Sequence, residues 1–133
     1  MKVYRGYVFS REFMGERSPQ HVQNIVLREY CARNSLHYLL SATEYAMPNC
    51  HLILEQVLDE IAEVDGIVAY SLFLMPINQS HRLRIYDRLV KENKEIHFAV
   101  EGLSLVRNSD IARLENIWLV KNVLPYCIEA LPA

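Results

Sequence analysis

The stretch GIVAYSLFLMP, residues 66–76, decides the fold of this chain. It is almost continuously apolar, a pattern typical of a central parallel strand that is covered on both faces. Apolar residues at helical spacing, Leu54, Val57 and Leu58, precede it, and a second helical pattern follows it. The stretch therefore predicts a parallel sheet whose strands are joined by helices.

Strand and helix patterns alternate on both sides of this stretch. Ser18 and Pro19 form a typical helix start, because the serine oxygen can accept a backbone hydrogen bond and proline suits the first helical position. The predicted strands cover residues 2–10, 36–40, 66–76 and 95–101, the helices cover 19–34, 49–63, 81–93 and 111–124, and a polar loop covers 41–48. Right-handed crossovers then give a single α/β domain over residues 1–133, a three-layer, flavodoxin-like sandwich with a mainly parallel sheet of order 2-1-3-4.

Composition restricts the classes of function. The 133 residues are 51% hydrophobic and 23% charged, as in a globular protein. The formal net charge of −2 shows no excess of basic residues that would attract a polyanion, so we expect no nucleic-acid partner. Charges at Lys2, Arg5 and Arg11 argue against a signal peptide, and no apolar run could span a bilayer, so we expect a cytoplasmic protein. The three cysteines include no CxxC pair and no histidine spacing suggests zinc, so we expect no metal or cofactor.

In a sheet of this order, ligands bind beyond the carboxyl ends of the strands. Ser10 follows the first strand, and one possible role for it is a nucleophile with His21 or Glu44 as its base. The alternative roles are a polar contact to a ligand and a cap of the turn after the strand. Glu44 and Glu101 follow two further strands and can form an acid/base pair, or can simply be solvated. The candidate catalytic residues are thus Ser10, His21, Glu44 and Glu101.

Two arginines give the clearest indication of a ligand. Arg11 and Arg17 flank a loop facing a helix N-terminus, an arrangement suited to a carboxylate or phosphate, although Glu12 and Glu16 could equally balance them as surface charge. The candidate substrate-binding residues are Tyr7, Arg11, Arg17, Gln20, Asn24, Ser41, Thr43, Tyr45 and Ser71.

The motifs GYVFS, QHVQ and DGIVAYSLFLM resemble the catalytic domain of serine recombinases of the resolvase type, over most of residues 2–105. This resemblance implies a resolvase-like fold and makes Ser10 the position of the family's nucleophile. The family's arginines are missing, because Val8 stands two residues before the serine and no arginine follows the third strand until Arg82. We therefore do not expect recombinase chemistry.

The stretches YRGYVFSREFMGERSPQHVQN, LSATEYAMPNC and EGLSL resemble a small family of bacterial proteins encoded sporadically within carbohydrate biosynthesis clusters. This resemblance implies a role in surface-polysaccharide or unusual-sugar production. The expected function is an enzyme, such as a lyase, isomerase or hydrolase, that acts on a small anionic sugar-derived substrate. The alternatives are a non-catalytic partner of another pathway enzyme and, less favoured, a resolvase-derived nucleic-acid binder.

The last predicted helix has more apolar surface than one sheet face requires. Leu114, Ile117 and Trp118 lie on one stripe, and Val120 and Val123 lie on another. We expect the second stripe to form a homodimer or a higher homo-oligomer, unless residues 125–133 fold back over it.

Overall fold

The computed structural model describes residues 2–10, 19–47 and 50–130, with the backbone alone over 122–130. Helices and strands alternate as the sequence predicts. Their bounds are β1 Val3–Phe9, α1 Gln20–Arg33, β2 His37–Glu44, α2 Leu52–Asp59, β3 Gly66–Ala69, α3 Gln79–Lys91, β4 Glu95–Phe98, β5 Leu103–Leu105 and α4 Asp110–Ala130. Two 3₁₀ helices lie at Ile61–Glu63 and Leu72–Leu74. Within this described part of the chain, no helix has the length and apolar character needed to cross a bilayer.

The strands form one sheet of order β2-β1-β3-β4-β5, in which β1 to β4 are parallel and β5 is antiparallel to β4. Successive residues of a strand point to opposite faces, so Tyr4 and Val8 of β1 join Leu27 of α1 in one buried cluster. Tyr7 and Phe9 join α2, α3 and α4 in a larger cluster on the other face. This arrangement confirms the predicted three-layer α/β fold and the order 2-1-3-4, to which β5 is added.

The pairing of β3 with β4 requires a glycine at its first position. A Cβ atom on Gly66 would lie 2.3 Å from the backbone oxygen of Glu95 and 2.8 Å from the ring of Tyr4. No side chain fits in that space, so Gly66 lets the two strands meet beneath the Tyr4 ring.

The predicted loop over 41–48 is wrong in its first half, because β2 continues through Glu44. The residues from Ser41 to Glu44 are polar or small, so their composition suggested a loop. They extend the strand because Ala42 pairs with Tyr7 and Glu44 pairs with Phe9, and both inward-facing side chains are buried. Tertiary pairing thus overrides local composition here.

The other boundary errors have local causes. β3 ends at Ala69 because Ser71 accepts a hydrogen bond from the amide of Phe73 and starts a 3₁₀ helix. The sequence does not indicate β5, because this strand is only three residues long. α4 continues through Pro125, where we expected its end, since a proline removes one helical hydrogen bond without always terminating a helix. The predicted caps Ser18 and Asn49 lie outside the described residues.

Candidate functional site

The carboxyl edge of the sheet brings Ser10 and Glu44 together. The Ser10 hydroxyl donates to the Glu44 backbone oxygen at 3.2 Å, and the buried Tyr7 hydroxyl donates to the Glu44 carboxylate at 2.7 Å. Gln23 of α1 holds the end of β1, because its side chain accepts from the Phe9 amide and donates to the Phe9 carbonyl. Of the four candidate catalytic residues, Ser10 and Glu44 are thus in direct contact.

Glu44 is the centre of this cluster and is 1% exposed. Besides Tyr7, its carboxylate accepts from the backbone amides of Tyr45, Ile53 and Leu54 at 3.0–3.2 Å and from the Cys50 thiol at 3.6 Å. Burial acts to raise the pKa of Glu44, but the hydrogen bonds from Tyr7 and the amides outweigh it and hold that pKa below its usual value. These contacts make Glu44 the anion that ties the end of β2 to the first turn of α2.

Glu101 has a similar arrangement on the next loop. One carboxylate oxygen accepts from the Ser71 hydroxyl and the other accepts from the Leu72 amide, both at 2.7 Å. Glu101 thus joins the turn after β4 to the loop after β3. The structure places Glu44 and Glu101 in separate hydrogen-bond clusters, with different partners, rather than in one carboxylate pair.

The remaining predicted site residues are more dispersed. Gln20 and His21 are exposed on the first turn of α1, and Tyr45 is half exposed after β2. Asn24 accepts a hydrogen bond from Tyr38 at 2.8 Å. Ser41 and Thr43 are half-buried on β2. Arg11 and Arg17 lie outside the described residues.

A cleft that we did not predict lies between α2 and α3. It consists of two adjoining cavities of about 390 and 270 Å³ that share His81. The larger is at the carboxyl edge and is lined by His51, Pro76, Ile77, Asn78 and His81, and the smaller continues along the helices past Glu55, Leu58, His81, Arg84, Ile85 and Arg88. We call these two cavities together the α2/α3 cleft.

The α2/α3 cleft contains a carboxylate–imidazole pair. His81 donates from Nε2 to Glu55 at 2.8 Å, and Asn78 caps α3 by accepting from the His81 amide. The rings of His51 and His81 lie edge to face at 6.1 Å. Arg84 is exposed one helical turn after His81, whereas Arg88 bonds to Asp59 and to the Leu58 carbonyl. The spacing of His81, Arg84 and Arg88 along one helix face is visible in the sequence and could have indicated this site.

The first arginine after β3 is already engaged in the fold. Arg82 is 3% exposed and makes two bonds of 2.7 Å to Glu115 of α4. It also donates to the carbonyls of Pro76 and Ile77, and its guanidinium lies 4.0 Å from the centre of the Trp118 ring. Arg82 therefore fixes the loop after β3 against α4. Across the described residues, no three metal-binding side chains converge on one point.

No family model matches the chain, and no curated protein matches it. Solved structures share its fold, among them two recombinase proteins. The N-terminal catalytic domain of TP901-1 integrase is 12% identical with a TM-score of 0.65, over 92% of this chain and 98% of that one. A resolvase family site-specific recombinase from Streptococcus pneumoniae is 11% identical with a TM-score of 0.58, over 95% and 97%. The expected resolvase-like fold is confirmed, and membership of a carbohydrate-cluster family stays a prediction.

Proposed function

We propose that the chain is a cytoplasmic enzyme of bacterial surface-polysaccharide or unusual-sugar biosynthesis, acting on a small anionic sugar-derived substrate in the α2/α3 cleft. The observation that carries this proposal is the His81–Glu55 hydrogen bond in the wall shared by two cavities, beside the exposed guanidinium of Arg84. The pathway rests on the resemblance of the N-terminal motifs, and the choice of cleft rests on this geometry.

The three side chains divide the chemistry among them. Glu55 accepts from Nε2 of His81, which orients the ring and makes Nδ1 the nitrogen that exchanges a proton with the substrate. Arg84 binds the carboxylate or phosphate of the substrate, because a guanidinium offers paired donors to such groups. A proton transfer of this kind serves an isomerase, a lyase or a hydrolase.

A binding experiment tests the location of the substrate site. Saturation-transfer NMR is recorded with glucose 1-phosphate, glucuronic acid and neutral glucose. We expect saturation-transfer signals from the two anionic sugars only. Arg84→Gln should bind these sugars about tenfold more weakly, or more weakly still, because it loses one charge-assisted interaction. Arg113→Gln is the matched control, since Arg113 is an exposed arginine on α4. Equal binding by Arg84→Gln and wild type contradicts the assignment.

A reconstituted pathway tests catalysis. His81→Gln removes the exchanging nitrogen, and we expect product formation to fall by about 10²-fold or more, as for a lost general acid or base. Product formation by Glu55→Gln should fall less, because Glu55 only orients the His81 ring. Glu29→Gln, an exposed carboxylate on α1, controls for loss of charge. Full activity of a folded His81→Gln protein refutes the proposal.

We expect neither site-specific recombination nor nucleic-acid binding. Val8 stands where the resolvase family has an arginine, and the guanidinium of Arg82 is buried in its contacts with Glu115. Phosphate therefore lacks cationic partners at these positions. A gel shift with DNA at low salt checks this, and we expect none.

A second candidate function is a non-catalytic partner that assembles through α4. Leu114 and Trp118 pack into the core, whereas Val120 of the predicted second stripe is 56% exposed beside Leu119 at 61%, and the side chain of Val123 lies outside the described part. We propose that this exposed stripe forms a homodimer or binds a pathway enzyme. Sedimentation equilibrium is the test: Val120→Glu should lower the mass of the assembly without unfolding the chain. A wild-type mass of one chain at all concentrations excludes the homodimer.

A further inference from the structure

A second polar cluster lies on the opposite face of the sheet, beneath α1. The Lys2 ammonium donates to Glu95 at 2.7 Å, Glu95 accepts from Nε2 of His97 at 2.9 Å, and Nδ1 of His97 lies 2.7 Å from the Tyr30 hydroxyl. We call this chain of three hydrogen bonds the Tyr30 relay. It takes no part in the α2/α3 cleft.

The hydrogen bonds fix the direction of proton transfer in the Tyr30 relay. The Glu95 carboxylate can only accept, so Nε2 of neutral His97 carries the hydrogen, and Nδ1 accepts from the Tyr30 hydroxyl. Tyr4 also donates to Glu95, at 2.6 Å. His97 is therefore oriented as a base toward Tyr30, with a carboxylate behind it.

The inner part of the Tyr30 relay is buried, whereas Lys2 lies at its exposed end. Tyr4, Tyr30 and His97 are 0%, 7% and 9% exposed. Burial acts to raise the pKa of Glu95, but bonds from Lys2, Tyr4 and His97 lower it to about 2, so the carboxylate stays charged. Keeping a charge and its partners in such a place is costly unless each is hydrogen-bonded, as here.

Tyr30 also lines a cavity. A space of about 410 Å³ is lined by Tyr30, Arg33, Asn34, Val100, Glu101 and Gly102. Arg33 is two-thirds exposed and makes only a loose contact of 3.8 Å with Glu29, so its guanidinium can turn to a ligand. Gly102 leaves the opposite wall open, since nothing lies within 4 Å of its missing Cβ position. The lining thus brings together the cation of Arg33 and Tyr30, whose hydroxyl bonds to His97, while the Glu101 carboxylate is already bonded to Ser71 and Leu72.

We propose that this cavity is a second binding site, which takes a small weakly acidic hydroxyl compound, such as a phenol or an enol, and holds it as its anion. The ligand hydroxyl gives its proton to the oxygen of Tyr30, while the Tyr30 proton passes to Nδ1 of His97. The products are an imidazolium beside the Glu95 carboxylate and a ligand oxyanion beside Arg33. Tyr30 is the catalytic residue of this step, and His97 and Glu95 are positioning residues.

The test uses 4-nitrophenol, whose anion absorbs visible light while the neutral form does not. At a pH at which the free probe is mostly neutral, the wild-type protein should raise the ratio of bound anion to neutral probe about tenfold, which corresponds to one pKa unit. Tyr30→Phe keeps the ring and should return the ratio to that of the free probe. Arg33→Gln should weaken binding of the anion. Tyr38→Phe is the control, since Tyr38 bonds to Asn24 on the same face and does not line the cavity.

His97→Gln gives an independent check, provided circular dichroism shows the native fold, and it should abolish the absorbance change. 4-Nitroanisole has no hydroxyl proton and should bind at least about tenfold more weakly than 4-nitrophenol. A change of about tenfold in affinity corresponds to the same free energy as the expected shift of one pKa unit. An unchanged spectrum with wild-type protein overturns the proposal. An equal anion fraction in wild type and Tyr30→Phe also overturns it.

Discussion

Replacing Glu44 by glutamine tests whether this strand-end carboxylate holds the fold together. The variant has nearly the same shape but turns one carboxylate oxygen into an NH2 donor. If Oε1 is replaced, Tyr7 can rotate its hydroxyl and accept, but the Leu54 amide meets a donor and loses its bond. If Oε2 is replaced, the amides of Tyr45 and Ile53 lose theirs.

The magnitude follows from these lost contacts. One buried amide without an acceptor costs about 1–3 kcal/mol, and the remaining bonds weaken from charge-assisted to neutral by about 1 kcal/mol. We therefore expect Glu44→Gln to lower the free energy of unfolding at pH 7 by about 3 kcal/mol. Because the pKa of Glu44 is depressed in the folded state, the carboxylate stabilises the fold above the unfolded pKa, and this contribution is lost as pH falls through the folded pKa. The difference between wild type and variant should therefore narrow in acid.

Urea unfolding is followed by the fluorescence of Trp118, the single tryptophan, which is buried against Arg82. Glu29→Gln is the matched control, because Glu29 is 66% exposed and its ion pair is loose, and it should change the free energy of unfolding by less than about 0.5 kcal/mol. A Glu44→Gln protein as stable as this control refutes the structural role. Glu44 would then be available for the catalytic role that the sequence suggested.

Three further stability predictions follow from the described contacts. Gly66→Ala should lower the free energy of unfolding by about 3 kcal/mol or prevent folding, because the new Cβ meets the Glu95 backbone oxygen. Gly102→Ala should lower it by only ~1 kcal/mol, the cost of a positive φ. Urea unfolding measures both. Arg82→Met should cost about 3–5 kcal/mol, because Glu115 loses its cationic partner and keeps the hydrogen bond from Gln79, and a double-mutant cycle with Glu115→Gln should show strong coupling. In Glu95→Gln the free energy of unfolding should fall less steeply between about pH 4 and pH 2 than in wild type, because the folded pKa of Glu95, about 2, lies below its unfolded value. Acid titration followed by circular dichroism measures this difference.

The layers and the strand order followed from local patterns, because period and length separate buried strands from amphipathic helices. The apolar run that begins at Gly66 and the helix that follows Pro19 are examples. The ends were less predictable. Ser41 and Thr43 belong to a strand only because β1 lies beside them, and that neighbour is remote in sequence.

The sequence predicts polar residues at the carboxyl edge of the sheet, but their role as a site stays a prediction. Polar residues do meet at the carboxyl edge, yet Glu44 accepts a hydrogen bond from the backbone amide of Ile53, and Glu101 accepts one from that of Leu72. A carboxylate at the end of a parallel strand faces the start of a helix, whose amides lack partners, so this structural role competes with catalysis at every such position. Sequence alone does not show which role an individual carboxylate takes.

The α2/α3 cleft illustrates the complementary case. His81 and Arg84 share one face of a helix, which their spacing predicts, but the partner Glu55 is 26 residues away on another helix. Only the packing of α2 beside α3 brings the carboxylate to 2.8 Å from the imidazole. Glu44 and Glu101 bond the ends of β2 and β4 to α2 and to the loop after β3, and α3, which carries His81 and Arg84, follows that loop. Because these strand-end carboxylates are occupied in holding the fold, we propose the α2/α3 cleft, with His81 hydrogen-bonded to Glu55, as the place of proton transfer.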